Sequence, residues 1–209
     1  MSVCALIGAS EFNEEQFRLM DEAGEFDYVV AVDGGLRSLE QIGRKADLAM
    51  GDFDSYGSVP HGLRTVQFPP EKDESDMELA FIRAKRLKFT DVVVFGGLGG
   101  RLDHTLANLT LFAKYSEEGI NVCAVGENEL LVFLTGPDVF ESPAREDGTV
   151  SVFAMNDKVK GVFERGLAWE LDDVELTNRT SLGLSNRFKG EAVMIGVEEG
   201  TIVIFYPLD

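Results

Sequence analysis

The chain has 209 residues, 44% of them hydrophobic, and a formal net charge of −18 at pH 7. That length accommodates one large domain or two small ones with buried cores, and the composition is that of a globular protein. With no long basic segment to offset it, the charge argues against a polyanion such as nucleic acid as the main partner; a metal or a cationic small molecule suits the field better.

The N-terminal stretch "MSVCALIGAS" has no basic leader region, and its apolar run reads as a strand. Nothing later approaches membrane-spanning length, so a soluble cytoplasmic protein with no membrane partner is expected. "VCALIG", "YVVAVDGG", "DLAMGDFDS", "TVQF", "DVVVFGG" and "NVCAV" follow in order as short strands, several of them apolar on both faces. Cys4 and Cys123 fall inside two of these runs, away from any CxxC spacing, and are expected to be buried and reduced.

Helical patterns lie between several of the strands. One follows Asn13 with Phe17 and Met20 on a face, one runs from Leu36 to Gly43 with Leu36, Leu39 and Ile42, and one runs from Met77 to Leu87. A fourth begins near Asp103 or His104, with Leu106, Leu109, Thr110 and Ala113 expected on its inner face. Alternating strands and helices predict an α/β fold with an open, mainly parallel sheet. Past residue 126 the rhythm changes to "ELLVFLTG", "GTVSVFAM", "VKGVFERG", "EAVMIGV" and "TIVIFYPL", with turn residues and no long helix. The expected division is therefore an α/β domain over residues 1–126 and a smaller antiparallel β domain over 127–209.

Open parallel sheets bind ligands at the carboxyl ends of their strands. Four strand ends here deliver acids and glycines: Asp33, Gly34 and Gly35; Asp52, Asp54 and Ser55; Lys72, Asp73 and Asp76; and Gly96 to Gly100 with Arg101, Asp103 and His104. In "GDFDS", Asp52 and Asp54 project to the same side of an extended segment, and two carboxylates about 4 Å apart repel by roughly 4 kcal/mol at an effective dielectric near 20. Such a pair either forms Asx turns or faces one hard cation such as Mg2+, and convergence with three other strand ends weighs toward the cation.

The loop "GGLGGRLD" suits backbone amides approaching phosphate oxygens with Arg101 as a charged partner, or simply a tight strand-to-helix turn. It is neither a Walker A loop nor a GxGxxG fingerprint. In "KDESDMELAF", Ser75 and Glu78 form a capping box that fixes Asp76 at a helix start, beside a Lys72 able to meet a phosphate as a point charge. His61, between Pro60 and Gly62, reads as plain loop.

"VAVDGG", "GDFDS", "KDESDMELA" and "GGLGGRLDHTLANL", in this order and followed by a β-rich part, resemble the thiamine pyrophosphokinase family. The resemblance covers most of the chain. It implies an α/β nucleotide-binding domain, a C-terminal β-sandwich, a homodimer with thiamine near the subunit interface, and Mg2+-dependent transfer of diphosphate from ATP to thiamine with release of AMP. Carried over by position, it assigns catalysis to Asp52, Asp54, Asp73 and Asp76, with metal ligation by Asp52, Asp54 and Asp76. ATP falls to Asp33, Gly34, Gly35, Lys72, Gly97, Gly99, Gly100 and Arg101. Thiamine falls to Asp103 and His104 and, through "GLAWEL" and "GLSNRF", to Trp169, Ser185 and Asn186. A tryptophan stacking on a flat heterocycle and a Ser-Asn pair bonding a pyrimidine are chemically apt, while Trp169 as sandwich core is the competing reading. Ser75 stands where the pattern has Thr and preserves the hydroxyl cap. Rival functions are a diphosphokinase for a pterin-type alcohol and a sensor that binds without turnover.

Overall fold

The computed structural model describes residues 2–53, 56, 62–69 and 71–208. Asp54, Ser55 and His61 lie outside the described residues. The chain divides into two compact units, Met1–Leu111 with Cys123–Glu127 and Phe112–Val122 with Asn128–Asp209.

The first unit is built from β1 (Val3–Ile7), α1 (Glu14–Glu22), β2 (Tyr28–Val32), α2 (Gly35–Gln41), β3 (Leu48–Gly51), β4 (Thr65–Gln67), α3 (Asp76–Arg86), β5 (Asp91–Phe95), the start of α4 (Leu102–Glu117) and the end of β6 (Asn121–Val125). Its strands lie in the order β6-β5-β1-β2-β3-β4. β1 pairs in parallel with β2 and β5, and the parallel pairing continues through β3 to β4. The runs that read as apolar on both faces are the central strands: every residue from Cys4 to Ile7 and from Val92 to Phe95 is buried.

Helix starts follow local chemistry. Asn13 caps α1 by accepting from the Gln16 amide at 3.0 Å, and Ser75 caps α3 by accepting from the Glu78 amide at 3.1 Å. Phe17 on α1 is fully buried, with ring centroids 5.3 Å from both Phe12 and Phe95 and 5.5 Å from Phe26. Helix α4 departs from expectation in part: Ala113 is buried and Leu109 half-buried as expected, but Leu106 is 65% exposed and Thr110 exposed, and Leu111, Phe112, Tyr115 and Ser116 are buried as well. Both sides of this helix carry leucines, so periodicity alone did not single out the buried one.

The second unit contains β7 (Glu129–Thr135), β8 (Asp138–Ser142), β9 (Thr149–Ala154), β10 (Val159–Arg165), β11 (Leu171–Leu176), β12 (Asn186–Arg187), β13 (Val193–Val197) and β14 (Thr201–Pro207). One layer runs β12-β9-β14-β7 and the other β11-β10-β13-β8, with antiparallel pairing in both. Val150, Val152, Ile202 and Ile204 of the first layer close a core with Val162, Val193, Ile195 and Leu176 of the second, which makes this unit a β-sandwich. β8, β11 and β12 went unread in the sequence. All three are outermost strands of their layers, and β8 and β11 are mostly exposed and rich in acids, so the apolar alternation that marks a strand is weak in them. Cys4 is buried and Cys123 half-buried, both unpaired, and burial pushes each thiol up to about 12. No helix among the described residues is long and apolar enough to cross a membrane.

Candidate active site

In the first unit β1 has β2 on one side and β5 on the other, so the strand order reverses there; in open α/β sheets such a reversal opens a crevice at the carboxyl ends of the strands. A cavity of about 750 Å3 occupies that place, lined by Gly8 to Glu11 after β1, Val32 and Asp33 at the end of β2, and Gly96, Gly97 and Gly99 to Arg101 after β5. The segments after β1 and β5 are laced together: Gly8 N donates to Phe95 O at 2.7 Å and Ser10 N to Gly96 O at 2.9 Å. Lys72, ahead of α3, and Asp76, its first residue, also line the cavity.

Asp33, Asp52 and Asp76 each place one carboxylate oxygen within 4.8 Å of the others, all three half-buried. Asp33 reaches this position through a left-handed backbone (φ 47°), its amide donating to Met50 O at 2.7 Å. Lys72 Nζ lies 2.9 Å from Asp76 Oδ1 in an ion pair that is largely shielded from water. Burial raises the Asp76 carboxyl above its ordinary range; Lys72 pulls it down, while Asp52 and Asp33 add to the rise. Three carboxylates and one ammonium leave a formal charge of −2 at this point. A hard divalent cation fits that donor set in charge and in ligand type.

The glycine loop is held by α4. Thr105 Oγ1 donates to Gly99 O at 3.1 Å, and Asn108 Nδ2 donates to Gly97 O at 2.7 Å. Gly99 is left-handed (φ 79°), a conformation that favours glycine, and a Cβ there would fall within about 2.2 Å of the Glu11 carboxyl carbon, so that side chain would have to shift. Arg101 does not reach freely into the cavity: its Nε and Nη2 lie 3.1 and 2.6 Å from the two oxygens of Asp103, a bidentate pair on the surface. That contact with Arg101 holds the Asp103 carboxyl below its ordinary range.

A second group of expected residues sits in the second unit. Trp169 is 59% exposed, so it is not part of the sandwich core. The Arg187 guanidinium lies 6.0 Å from the centroid of its ring. Asn186 is buried, and its side-chain amide is fully engaged. Oδ1 accepts from Trp169 N at 3.0 Å and from Arg187 N at 2.9 Å, and Nδ2 donates to Trp169 O and to Glu164 Oε2, both at 2.6 Å. Ser185 is exposed and left-handed (φ 57°), with its amide donating to Ser151 Oγ at 2.9 Å.

Of the residues singled out in the sequence, Asp33, Lys72, Asp76, Gly97, Gly99 and Gly100 line one cavity, as do Arg101 and His104. Asp52 joins through the carboxylate cluster. Asp73 and Asp103 are exposed and do not line it. Gly34 and Gly35 do not line it either; Gly35 is required because a Cβ would fall 1.8 Å from Ile7 O, where α2 starts against β1. Asp33, expected on the nucleotide side, lies with the carboxylates, which its place at a strand end beside Asp52 foreshadowed. Glu11, Thr105 and Asn108 were missed, although Thr105 and Asn108 stand three apart in "HTLAN", a helical spacing that puts two polar side chains on one face.

Comparison with known proteins bears on both units. A family model for the thiamin pyrophosphokinase catalytic domain matches residues 20–124, and one for the thiamin pyrophosphokinase vitamin B1 binding domain matches residues 139–202. The chain is 23% identical over 189 residues to thiamine pyrophosphokinase of Bacillus subtilis, covering 86% of this chain and 87% of that protein. The crystal structure of a Bacillus subtilis thiamine pyrophosphokinase superposes with a TM-score of 0.81 at 21% identity, covering all of both chains. A thiamin pyrophosphokinase family protein of Enterococcus faecalis does so at 0.81 and 24%, also over the full length of both. At these identities the structures speak for the fold, an α/β unit followed by a β-sandwich. The two family models together span both units, from α1 to β14, and on that ground the chain belongs to the thiamin pyrophosphokinase family of transferases.

Proposed function

We propose that the protein transfers the diphosphate of ATP to the hydroxyl of thiamine, giving thiamine diphosphate and AMP, with Mg2+ as its metal. The observation that carries this reading is the cluster of Asp33, Asp52, Asp76 and Lys72, three of which line a cavity that a glycine loop lines as well. A thiamine-binding protein without chemistry has no use for three carboxylates together with a glycine loop.

Asp33, Asp52 and Asp76 would hold the metal. A divalent cation held there would supply positive charge to stabilise the negative charge of the phosphoryl oxygens. The chain's own groups do the rest. Gly97 to Gly100 offer a close backbone approach for the phosphates, and Lys72 supplies a positive charge beside Asp76. The thiamine hydroxyl attacks the β-phosphorus, the bond from that phosphorus to the αβ-bridging oxygen breaks, and AMP leaves with that oxygen. The hydroxyl proton passes to a carboxylate of the cluster as the new bond closes. Trp169 presents the flat face against which a ring of thiamine stacks. The exposed leucines Leu102 and Leu106 support a surface that a homodimer covers, and two unpaired thiols support a cytoplasmic setting.

The test is incubation with ATP, Mg2+ and thiamine, with and without EDTA, following AMP and thiamine diphosphate. Equal formation of both, abolished by EDTA, is expected. ATP binding with neither product would overturn the reading; turnover with a pterin-type alcohol in place of thiamine would move it to that acceptor.

A further inference from the structure

We propose that Glu164, a carboxyl sealed inside the β-sandwich, is a positioning residue that sets Trp169 for its ligand by acting through Asn186. Glu164 lies on β10, where Val162 and Glu164 turn inward and Phe163 and Arg165 are more exposed. It is 0% exposed, beside a core cluster made of apolar side chains, mostly valine, leucine and isoleucine. An apolar side chain is the usual occupant of such an inward position; a carboxyl there must be desolvated. Oε2 accepts from Asn186 Nδ2 at 2.6 Å, and Oε1 is buried with no hydrogen-bond partner among the described residues. Burial accordingly holds the carboxyl above its ordinary range, against the lowering effect of Asn186.

The contact joins the two layers of the sandwich, because Asn186 belongs to β12 of the layer facing β10. Asn186 then grips both backbone polar groups of Trp169, the N–H through Oδ1 and the C=O through Nδ2. Both protons of Nδ2 are committed, one to Glu164 and one to Trp169, so Glu164 fixes the plane and the orientation of the amide. With all four of its bonds made inside the protein, Asn186 holds the tryptophan rather than the ligand. The result is an exposed indole on an immobilised backbone, which lowers the ordering cost of stacking a ring on it.

This inference rests on the reading that Trp169 meets thiamine, and its test separates the two. Trp169 is the sole tryptophan of the sequence, so its fluorescence reports on this residue alone. Glu164→Met removes the acceptor at similar volume; Glu164→Gln retains an oxygen for Asn186. In ligand-free protein well below the melting temperature, Glu164→Met is expected to lower the anisotropy of Trp169 and raise its quenching by acrylamide about twofold, with Glu164→Gln matching the wild type. In steady-state assays Glu164→Met is expected to raise KM for thiamine about tenfold while kcat and KM for ATP change less than twofold, and Glu164→Gln to restore it. Should Glu164→Met fail to fold, Glu164→Asp, one methylene too short to reach Asn186, takes its place with the same expectations. Unchanged fluorescence in the acceptor-lacking variant overturns the role of Glu164 whatever thiamine does. Changed fluorescence with an unchanged thiamine KM overturns the positioning role in binding. A wild type that turns over no thiamine, with fluorescence changing as expected, overturns the proposed function and leaves the Glu164–Asn186–Trp169 linkage supported.

Discussion

Replacing Asp52 with Asn removes a charge from the carboxylate cluster while keeping the shape and an accepting oxygen. Asp33 and Asp76 each place an oxygen within 4.8 Å of one on Asp52, so at an effective dielectric near 20 each pair repels by about 3.5 kcal/mol at that separation. The attraction lost to the Lys72 ammonium, which is paired with Asp76, offsets part of this, and the half-buried groups are screened further by water. The metal-free protein is therefore expected to gain about 1–3 kcal/mol from Asp52→Asn. Millimolar Mg2+ should reverse the order, because a ligand that binds only the folded state stabilises it in proportion to its affinity, and the variant has lost a ligand oxygen with full charge. Urea unfolding of both proteins at pH 8, followed by far-ultraviolet circular dichroism in EDTA and again in Mg2+, measures all four stabilities. A variant less stable than the wild type in EDTA, or an equal gain for both proteins in Mg2+, would refute the argument that these three acids form one electrostatic site.

Three further outcomes follow from the geometry. Gly99→Ala meets a left-handed backbone and the Glu11 carboxyl, and strain of about 1–2 kcal/mol converts to a roughly five- to thirtyfold higher KM for ATP; an unchanged KM would detach the loop from nucleotide binding. Phe17→Ala empties the space between Phe12, Phe26 and Phe95 and is expected to cost about 3–5 kcal/mol in urea unfolding, with a loss under about 1 kcal/mol contradicting the packing described. Glu164, raised above the ordinary 4.5 by burial, contributes its full stability below that value and loses it as pH rises through the higher folded-state value. Melting temperatures of wild type and Glu164→Gln between pH 4 and pH 8, about the range spanned by such buried acids, should therefore show the wild type falling behind as pH rises; a constant difference would mean the carboxyl is not desolvated.

The central strands were legible because parallel strands covered on both faces are written as unbroken apolar runs, and "VCALI" and "DVVVF" are that. The starts of α1 and α3 were legible because Asn13 and Ser75 cap by a local bond that needs no tertiary partner. What escaped depended on distant neighbours. The face of α4 turned on which of several leucines met the protein, and the strands β8, β11 and β12 are ordered by a single partner rather than by their own pattern. In the site, Asp33, Asp52 and Asp76 were each visible at strand ends, yet their meeting at one point is a property of the sheet order. Glu164 had a signal that went unused, since the alternation of "VFER" puts it on the same side as Val162.

The two outer strands β8 and β11 bear on how molecules of this protein behave toward one another. An outermost strand offers unpaired backbone groups to any passing chain, and one that is flat and apolar seeds aggregates. β11 carries Asp172, Asp173 and Glu175, is kinked by a left-handed Asp173 (φ 52°), and loses register with β10 twice along its length. β8 carries Asp138 and Glu141. Asp172 and Glu175 are paired with Arg165 and Lys158, but on a chain of net charge −18 strand-to-strand contact between molecules still brings like-charged surfaces together on a template of broken register. Colloidal behaviour should then follow the ionisation of these side chains: the protein should stay dispersed at high concentration near neutrality and associate through its sandwich as pH falls toward its isoelectric point near 4.4.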